Sequence, residues 1–365
     1  MAKVVFVLPA LGAGGSERVI TAIANHWAER GEDVTLVTFE AAGTPPYFAL
    51  HPRVDLVQLS LPPRSRPLRR AFSRVAERIA ALRRVFRAVE PDVIVSFLTK
   101  TNVMTVFAAG GLGVPVIVSE RNNPQVQRFN GYWRWARARA YPRAYAFVSM
   151  TQRAAAALPK RLRPRERVIP NPVQLPEGWS PRRDGRRIVG VGRLVEQKRF
   201  DRLIDAFAIV APDHPDWTLT IWGEGELLEN LKAQRDRLGL RDRVELPGVS
   251  KVPGGWVETA DIFVLSSRYE GWGVVIVEAM AAGVPVISFD CPFGPAEIIR
   301  HGETGALVAN GDCEALAAAM ADFMSDGNKR ETLAEAAKRD VSRFSVDAVA
   351  GQWRALIEEA AHARN

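Results

Sequence analysis

Two glutamates that flank a glycine-rich turn offer the most specific chemistry in this chain. Glu270 follows an apolar run typical of a strand, and Glu278 lies eight residues later in the next predicted helix. The backbone N–H groups of residues 271–274 precede the first helical hydrogen bond, so they are suited to an anion. A carboxylate for hydroxyls, amides for a phosphate and a second carboxylate for a ribose favour a nucleotide-sugar site. An ordinary strand-to-helix turn with two solvated acids is the alternative.

A cationic turn follows the first predicted strand of the second half of the chain. Arg193 and Lys198 lie five residues apart, just before a helix. Because a helix N-terminus disfavours cations, the pair fits a bound diphosphate, with arginine as a fork and lysine as a point charge. Two surface cations are the alternative. The sequence contains no Asp-x-Asp pair, so we expect cations and helix amides, rather than a metal, to stabilise a departing diphosphate.

Another glycine-rich turn follows the first predicted strand of the chain. Residues 12–15 read Gly-Ala-Gly-Gly and open a helix, which lets the backbone approach an anionic ligand closely. Glu40 ends the second predicted strand, where a dinucleotide-binding protein carries its ribose-binding acid. The third glycine of that fingerprint is missing, because position 17 is Glu. An NAD-dependent oxidoreductase stays open as an alternative, although it leaves the other motifs unexplained.

Strands and helices alternate along both halves of the chain. Strands are predicted over residues 3–8, 34–39, 54–59, 93–97, 116–119, 146–149, 187–191, 218–222, 244–246, 262–265 and 284–289. Helices are predicted over residues 16–30, 71–89, 201–210, 226–238 and most of 314–361. This alternation predicts an α/β protein with two Rossmann-like, doubly wound domains, whose mostly parallel sheets bind ligands beyond the strand carboxyl ends, in the cleft between the domains.

The predicted domains follow from a restart of this pattern after a proline-containing segment. We place the first domain at residues 1–170, a linker at 171–185 and the second domain at 186–345. The last segment, 346–365, is predicted to be a helix that packs back on the first domain.

Composition indicates a globular chain of 365 residues, 47% hydrophobic and 25% charged. No apolar run approaches the ~20 residues of a membrane span, and we expect a soluble or peripheral protein. Cys291 and Cys313 form neither a metal-ligand spacing nor a disulfide framework, which fits a reducing compartment.

The charge is unevenly divided. Residues 1–170 carry 26 Lys and Arg against 11 Asp and Glu, whereas residues 171–365 carry 23 against 30, and the whole chain is +8. Three basic clusters lie in the first half, and in the second of them Trp and Tyr alternate with the cations: Arg64, Arg66, Arg69, Arg70, Arg74, Arg78, Arg83, Arg84 and Arg87; Trp133, Arg134, Trp135, Arg137, Arg139, Tyr141 and Arg143; Lys160, Arg161, Arg163, Arg165 and Arg167. They favour an anionic membrane surface, at ~1 kcal/mol per basic residue, over a solvated helix face. No recognition motif supports nucleic acid.

Taken together, three motifs resemble family 4 retaining glycosyltransferases of GT-B fold. They are Gly192-Arg193…Lys198, Glu270-x7-Glu278 and Gly14-Gly15-Ser16-Glu17-Arg18. The resemblance covers nearly the whole chain and is strongest over residues 186–300. Shorter motifs at 96–98, 119–124 and 290–295 resemble the bacterial branch that builds lipid-linked polysaccharide, O-antigen or exopolysaccharide.

The resemblance implies a role for each motif residue. Arg193 and Lys198 would hold the donor diphosphate, Glu278 would bind the donor ribose, and Glu270 would contact the sugar hydroxyls. The other donor-binding residues would be Gly15, Gly271, Trp272, Gly273 and Val274. Many family members have a histidine near the reacting sugar at the place of Arg121, so Arg121 would join Glu270, Arg193 and Lys198 as a catalytic residue.

The resemblance also implies the reaction. A sugar would pass with retention, and without a metal or cofactor, from a UDP-sugar, or less favourably a GDP-sugar, to a lipid-linked saccharide in cell-surface polysaccharide biosynthesis. The departing phosphate would accept the proton of the acceptor. We expect a monomer or weak dimer, peripheral on the cytoplasmic face of the inner membrane. A GT-B epimerase or phosphorylase is an alternative that shares the donor half.

Overall fold

The computed structural model describes residues 2–12, 14–61, 68–121, 129–157, 159, 162–175, 178–182, 185–252 and 254–363, and the side chains of residues 68–72 lie outside the description. The chain forms two compact units. Unit 1 comprises Met1–Pro172 and Val346–Asn365, and unit 2 comprises Val173–Ser345. The terminal helix therefore belongs to the unit that the first half of the chain builds.

The described residues form thirteen strands and twelve α-helices. The strands are β1 (Val4–Val7), β2 (Val34–Thr38), β3 (Asp55–Gln58), β4 (Val93–Phe97), β5 (Val116–Ser119), β6 (Ala146–Ser149), β7 (Glu166–Val168), β8 (Arg187–Val191), β9 (Thr218–Trp222), β10 (Val244–Gly248), β11 (Ile262–Leu265), β12 (Val286–Phe289) and β13 (Ala306–Val308). The helices are α1 (Gly15–Glu29), α2 (Leu68–Val89), α3 (Thr99–Ala109), α4 (Gly131–Ala140), α5 (Gln152–Ala156), α6 (Phe200–Val210), α7 (Leu228–Arg237), α8 (Val274–Ala281), α9 (Pro295–Ile298), α10 (Cys313–Ser325), α11 (Gly327–Asp340) and α12 (Val346–His362).

Unit 1 is built on a seven-stranded parallel sheet of order β3-β2-β1-β4-β5-β6-β7. Successive side chains of a strand point to opposite faces, and the core follows this rule. Phe6 of β1 packs with Trp27 of α1 and Trp353 of α12, whereas its neighbour Val5 packs with Phe86 of α2 on the other face. Helices therefore cover both faces, as a parallel sheet requires.

Unit 2 repeats the plan with six parallel strands in the order β10-β9-β8-β11-β12-β13. Phe207 of α6 and Phe323 of α10 pack in one core with Leu219 of β9. The order reverses beside β8, so the loops after β8 and β11 lie at the switch point where such sheets bind ligands. The predicted α/β fold with two doubly wound, Rossmann-like sheets is confirmed.

The strands were easier to predict than the helices. Six predicted strands have the observed bounds, but α3, α4, α5, α9, β7 and β13 were not expected. Nine of the eleven residues of α3 are buried, so its sequence has no amphipathic period, and Leu98 before it adopts a left-handed φ of 71° without side-chain capping. The single helical tail predicted from residue 314 is in fact α10, α11 and α12.

Candidate functional site

Glu270 lies just after β11, in contact with a cation from another loop. Its Oε1 accepts a hydrogen bond from Nζ of Lys198 at 2.6 Å and one from Oγ of Ser267 at 2.6 Å. Only 7% of Glu270 is exposed. The loops after β8 and β11 therefore meet through a largely buried, charge-assisted bond.

Hydrogen bonds from side chains to backbone carbonyls hold these two loops together around the ion pair. Ser266 donates its hydroxyl to the carbonyl of Lys198 at 2.8 Å, and the side-chain amide of Gln197 donates to the carbonyl of Tyr269 at 2.9 Å. Arg199 follows in the left-handed region, with φ 51°, and is the N-cap residue of α6. Such a conformation in a non-glycine residue is costly and marks an ordered turn.

Glycines allow the loop after β9 to support the same turn. A Cβ on Gly223, at φ 146°, would lie 1.8 Å from the carbonyl oxygen of Gly192, and a Cβ on Gly225 would lie 2.3 Å from that of Leu194. The amide of Leu194 donates to the carbonyl of Glu224 at 2.8 Å. The backbone of the Trp-Gly-Glu-Gly-Glu segment at 222–226 thus packs against the loop after β8, which contains Arg193.

The glycine-rich turn between the two glutamates ends in the N-terminus of α8. Gly273 precedes the helix at φ 96°, and Ile276 donates to its carbonyl at 2.9 Å. The amides of residues 271–274 come before this first bond, so the end of α8 presents the donors that anions prefer. A Cβ on Gly294 would lie 2.0 Å from the carbonyl oxygen of Trp272, so the loop after β12 packs on this turn.

The remaining predicted donor residues of unit 2 differ in exposure. Glu278 lies in α8 and is only 4% exposed, whereas the Arg193 side chain is exposed. The Trp272 ring packs edge-on against Phe344, with centroids 5.2 Å apart, so its side chain is part of the core. Since both Glu270 and Glu278 are buried, they are not the two solvated acids of the simpler alternative. The convergence of Arg193 and Lys198 on one diphosphate stays a prediction.

In unit 1, the predicted residue Gly15 is the first residue of α1. It is exposed, and a Cβ there would meet nothing within 4 Å. The neighbouring Gly14 is packed more tightly, because a Cβ there would lie 2.2 Å from Oε2 of Glu17. Glu40 accepts a hydrogen bond from the amide of Leu11 at 2.9 Å. This acid fastens the loop after β1, rather than standing free as a dinucleotide-binding acid would.

Arg121 follows β5 in unit 1. It is 6% exposed, and its Nη1 donates to Oδ1 of Asn171. The guanidinium carbon lies 5.3 Å from the ring centroid of Phe97 and 5.5 Å from that of Trp353. Burial lowers the pKa of Arg121 to about 9, so the group is still a cation at neutral pH.

Glu120, the neighbour of Arg121, was not among the predicted site residues. Glu120 accepts hydrogen bonds from the hydroxyls of Tyr141 and Thr99, the latter at 2.8 Å, and Asn102 extends this network to Ser96. Burial raises the pKa of Glu120, against the opposing effects of these bonds and of the Arg137 charge. In the sequence, the one pattern that could have predicted this network is the group of polar residues at the carboxyl ends of β4 and β5.

Comparison with known proteins covers almost the whole chain. Residues 14–173 match the family described as Glycosyl transferase 4-like domain, and residues 176–340 match Glycosyl transferases group 1. The chain belongs to the family 4 type of GT-B glycosyltransferases.

Individual relatives agree with this membership. An exopolysaccharide phosphotransferase of Streptomyces coelicolor is 31% identical over 380 aligned residues, which cover 95% of this chain and 39% of the relative. The chain thus spans well under half of that longer protein. An α-1,4-N-acetyl-D-galactosaminyltransferase of Campylobacter jejuni, named for an undecaprenol-linked diphosphate saccharide, is 26% identical over 100% of both chains. A crystal structure of Anabaena HepE with UDP-glucose, 22% identical, superposes with a TM-score of 0.77 over 98% of this chain and 100% of that chain.

Two arginines of the basic clusters form hydrogen bonds within their own unit, and the membrane-facing role of these clusters stays a prediction. Arg83 donates to the carbonyls of Ala108 and Gly110, and Arg165 donates to those of Pro142 and Ala144. Trp135, by contrast, is 55% exposed and lies against Arg139. Arg64, Arg66, Lys160 and Arg161 lie outside the described residues, as do the side chains of Arg69 and Arg70. Among the described helices, none has the length and hydropathy of a bilayer crossing.

Proposed function

We propose that this glycosyltransferase moves a sugar, with retention and without a metal, from a nucleotide diphosphate donor to a lipid-linked saccharide acceptor. The observation that carries the proposal is the part-buried Lys198–Glu270 pair, in the two loops that lead into α6 and α8. It brings a cation, a carboxylate and a set of backbone amides to the switch point of one sheet. Together these groups can bind the sugar hydroxyls and the phosphates of a sugar diphosphate.

The pair would connect recognition of the sugar to recognition of the diphosphate. An ammonium group has three N–H donors, and Lys198 donates one of them to Glu270. The others can reach a phosphate oxygen. Both bonds that Glu270 accepts from Lys198 and Ser267 end on Oε1, so Oε2 can accept a sugar hydroxyl. Glu278 would bind the ribose, and Arg193, at the exposed end of its loop, would close on the diphosphate.

In the proposed step, the bond between the anomeric carbon and the donor phosphate breaks, and a bond to the acceptor oxygen forms on the same face. The acceptor proton passes to an oxygen of the departing phosphate. Lys198 and the amides at the start of α8 would stabilise the charge that develops there. In this step Glu270 only orients the sugar and does not act as a nucleophile, as the equivalent carboxylate of a retaining hydrolase would. Its ion pair with Lys198 is therefore compatible with the proposed role.

The acceptor, nucleotide and location are proposed from the relatives and the charge pattern. The name of the Campylobacter relative specifies an undecaprenol-linked acceptor, and the Anabaena structure contains UDP-glucose. We therefore propose a UDP-sugar donor, with a GDP-sugar as second choice, and a protein held peripherally at the cytoplasmic face of the membrane. Retention of the protein on anionic liposomes at low salt tests the last point, and a protein that stays in the supernatant would contradict it.

The first experiment is a thermal-shift screen against UDP, GDP, ADP and NAD, followed by their sugar conjugates. Stabilisation by UDP or GDP supports the transferase and selects donors for transfer assays, in which full turnover in excess chelator and a retained anomer are expected. Stabilisation by NAD alone would overturn the proposal. Sugar-nucleotide turnover without an acceptor would instead point to an epimerase, and phosphorolysis to a phosphorylase.

A further inference from the structure

Arg121 is a buried cation whose hydrogen-bonding capacity is only partly used. Among the described residues, its Nε and Nη2 atoms have no hydrogen-bond partner, whereas Nη1 donates to Asn171. Nε and Nη2 lie along one edge of the guanidinium, the edge that makes two parallel bonds to a carboxylate or phosphate. The unused donors therefore form an intact fork.

The surroundings fix this fork in place. Phe97 and Trp353 pack against each other, with centroids 5.8 Å apart, and the guanidinium lies over both rings. Asn171 holds the opposite donor, Nη1. Aromatic rings attract the cation without occupying its N–H groups. Three residues from distant parts of unit 1 thus orient Arg121 and leave the Nε–Nη2 edge without a protein acceptor among the described residues.

Unit 1 offers no carboxylate of its own for this edge. Glu120, the next residue along, accepts from Thr99 and Tyr141, and its opposite charge is Arg137. None of the residues of unit 1 that lie outside the description is Asp or Glu, including 122–128, which read Asn-Asn-Pro-Gln-Val-Gln-Arg. A buried charge without a partner is costly, and removing that cost is a source of affinity for an anion.

We propose that Arg121 is an oxyanion receptor, whose Nε–Nη2 edge binds two oxygens of a substrate phosphate or sugar carboxylate. The inference rests on the proposed function for the source of the anion. In a glycosyl transfer, that anion is a phosphate of one of the substrates or the carboxylate of an acidic sugar. A substrate with an anionic group at Arg121 would bind tightly, and one without it would bind weakly. Arg121 would therefore select between substrates, which is more than replacing a histidine.

Calorimetric titration of the full chain with small anions tests the receptor without relying on transfer. The titrations use inorganic phosphate, D-glucuronate and, as a neutral probe, D-glucose, at constant ionic strength. They are made in the Arg193→Ala, Lys198→Ala background, so that the cations proposed for the donor diphosphate do not bind the probes. Adding Arg121→Lys keeps the charge but removes the fork, and we expect affinity for phosphate or glucuronate to fall about tenfold or more.

The controls separate the fork from general effects of charge and folding. Arg30→Lys, at an exposed ion pair with Asp347, should leave the titrations unchanged. Asn171→Ala keeps Arg121 but frees its Nη1, and we expect a smaller, several-fold loss of affinity. An Arg121-dependent response to phosphate assigns the site to a phosphate group, and one to glucuronate assigns it to an acidic sugar. If neither anion binds, or if Arg121→Lys binds as well as its parent, the receptor is wrong even where transfer activity is normal.

Discussion

Glu270 in unit 2 and Arg121 in unit 1 are both buried charges just past the end of a parallel strand, but their partners differ. Glu270 is neutralised by Lys198, whose ammonium lies 2.6 Å away. Arg121 lies over two aromatic rings and one amide, and no described carboxylate bonds to it. One charge is therefore balanced within its unit, whereas the other is oriented but, among the residues that the structure describes, not balanced.

This difference separates two kinds of preparation for a ligand. In unit 2, the ion pair is already formed, so a donor has to share Lys198 with Glu270 and gains from groups that are in position beforehand. In unit 1, the desolvation free energy of the buried Arg121 charge is not offset by a described carboxylate. An anion that pairs with Arg121 would offset it and gain affinity from doing so. Substitutions of the Lys198–Glu270 pair should accordingly impair turnover, and substitutions at Arg121 should impair the choice of substrate.

The largest effect is expected when the unit 2 pair is broken. Lys198→Ala removes a donor to the departing phosphate and leaves Glu270 buried without its cation, so we expect kcat/KM for transfer to fall about 10²–10³-fold. Steady-state rates with the donor found in the thermal-shift screen measure this. Lys232→Ala, in an exposed pair with Glu229, is the matched control and should transfer normally. A Lys198→Ala enzyme within threefold of wild type would remove the diphosphate assignment.

A smaller effect is expected at the proposed ribose contact. Glu278→Gln keeps the shape of the side chain but removes its charge, and a hydrogen bond to a charged group is stronger than a neutral one. We expect affinity for the free nucleotide to fall about 10–100-fold. Calorimetry with UDP or GDP measures it, and Glu229→Gln at an exposed position of α7 serves as the control. Equal affinity of Glu278→Gln and wild type would end the ribose role.

The next substitution asks whether glycine packing keeps the unit 2 pair assembled. In Gly223→Ala, the new Cβ would lie 1.8 Å from the carbonyl oxygen of Gly192. The loops must move apart, and we expect a loss of about 1–3 kcal/mol in the free energy of unfolding, together with lower transfer activity. Gly351→Ala in α12, where a Cβ meets nothing within 4 Å, should be neutral or stabilise by up to about 1 kcal/mol. Equal melting temperatures for the two variants would contradict the packing argument.

The sequence predicted the parts of each site better than their partners. Glu270 and Lys198 each lie in a motif whose local pattern predicts a strand-to-helix turn, so their elements could be foreseen. Their hydrogen bond joins residues 72 positions apart, and it depends on the register of two loops that no local pattern specifies. For Arg121 the missing information is more distant still, because Trp353 reaches it only through the packing of α12 on unit 1.

The smallest predicted effect concerns Glu120, which separates the structural acid of unit 1 from the receptor beside it. Its pKa is raised by burial above 4.5, so the folded state holds the proton at a pH where the unfolded chain has lost it. The contribution of Glu120 to the free energy of unfolding should therefore fall as pH rises from 4.5 to the higher folded-state pKa, and then level off. Glu120→Gln cannot titrate, so the stability of wild type relative to this variant should decline over that range in urea-unfolding curves.

Since Glu120 is bonded to Tyr141 and Thr99 and not to Arg121, anion binding at Arg121 should be retained in Glu120→Gln. Parallel pH curves would show that Glu120 is not a buried titrating acid, and loss of anion binding would show that the two neighbours form one site.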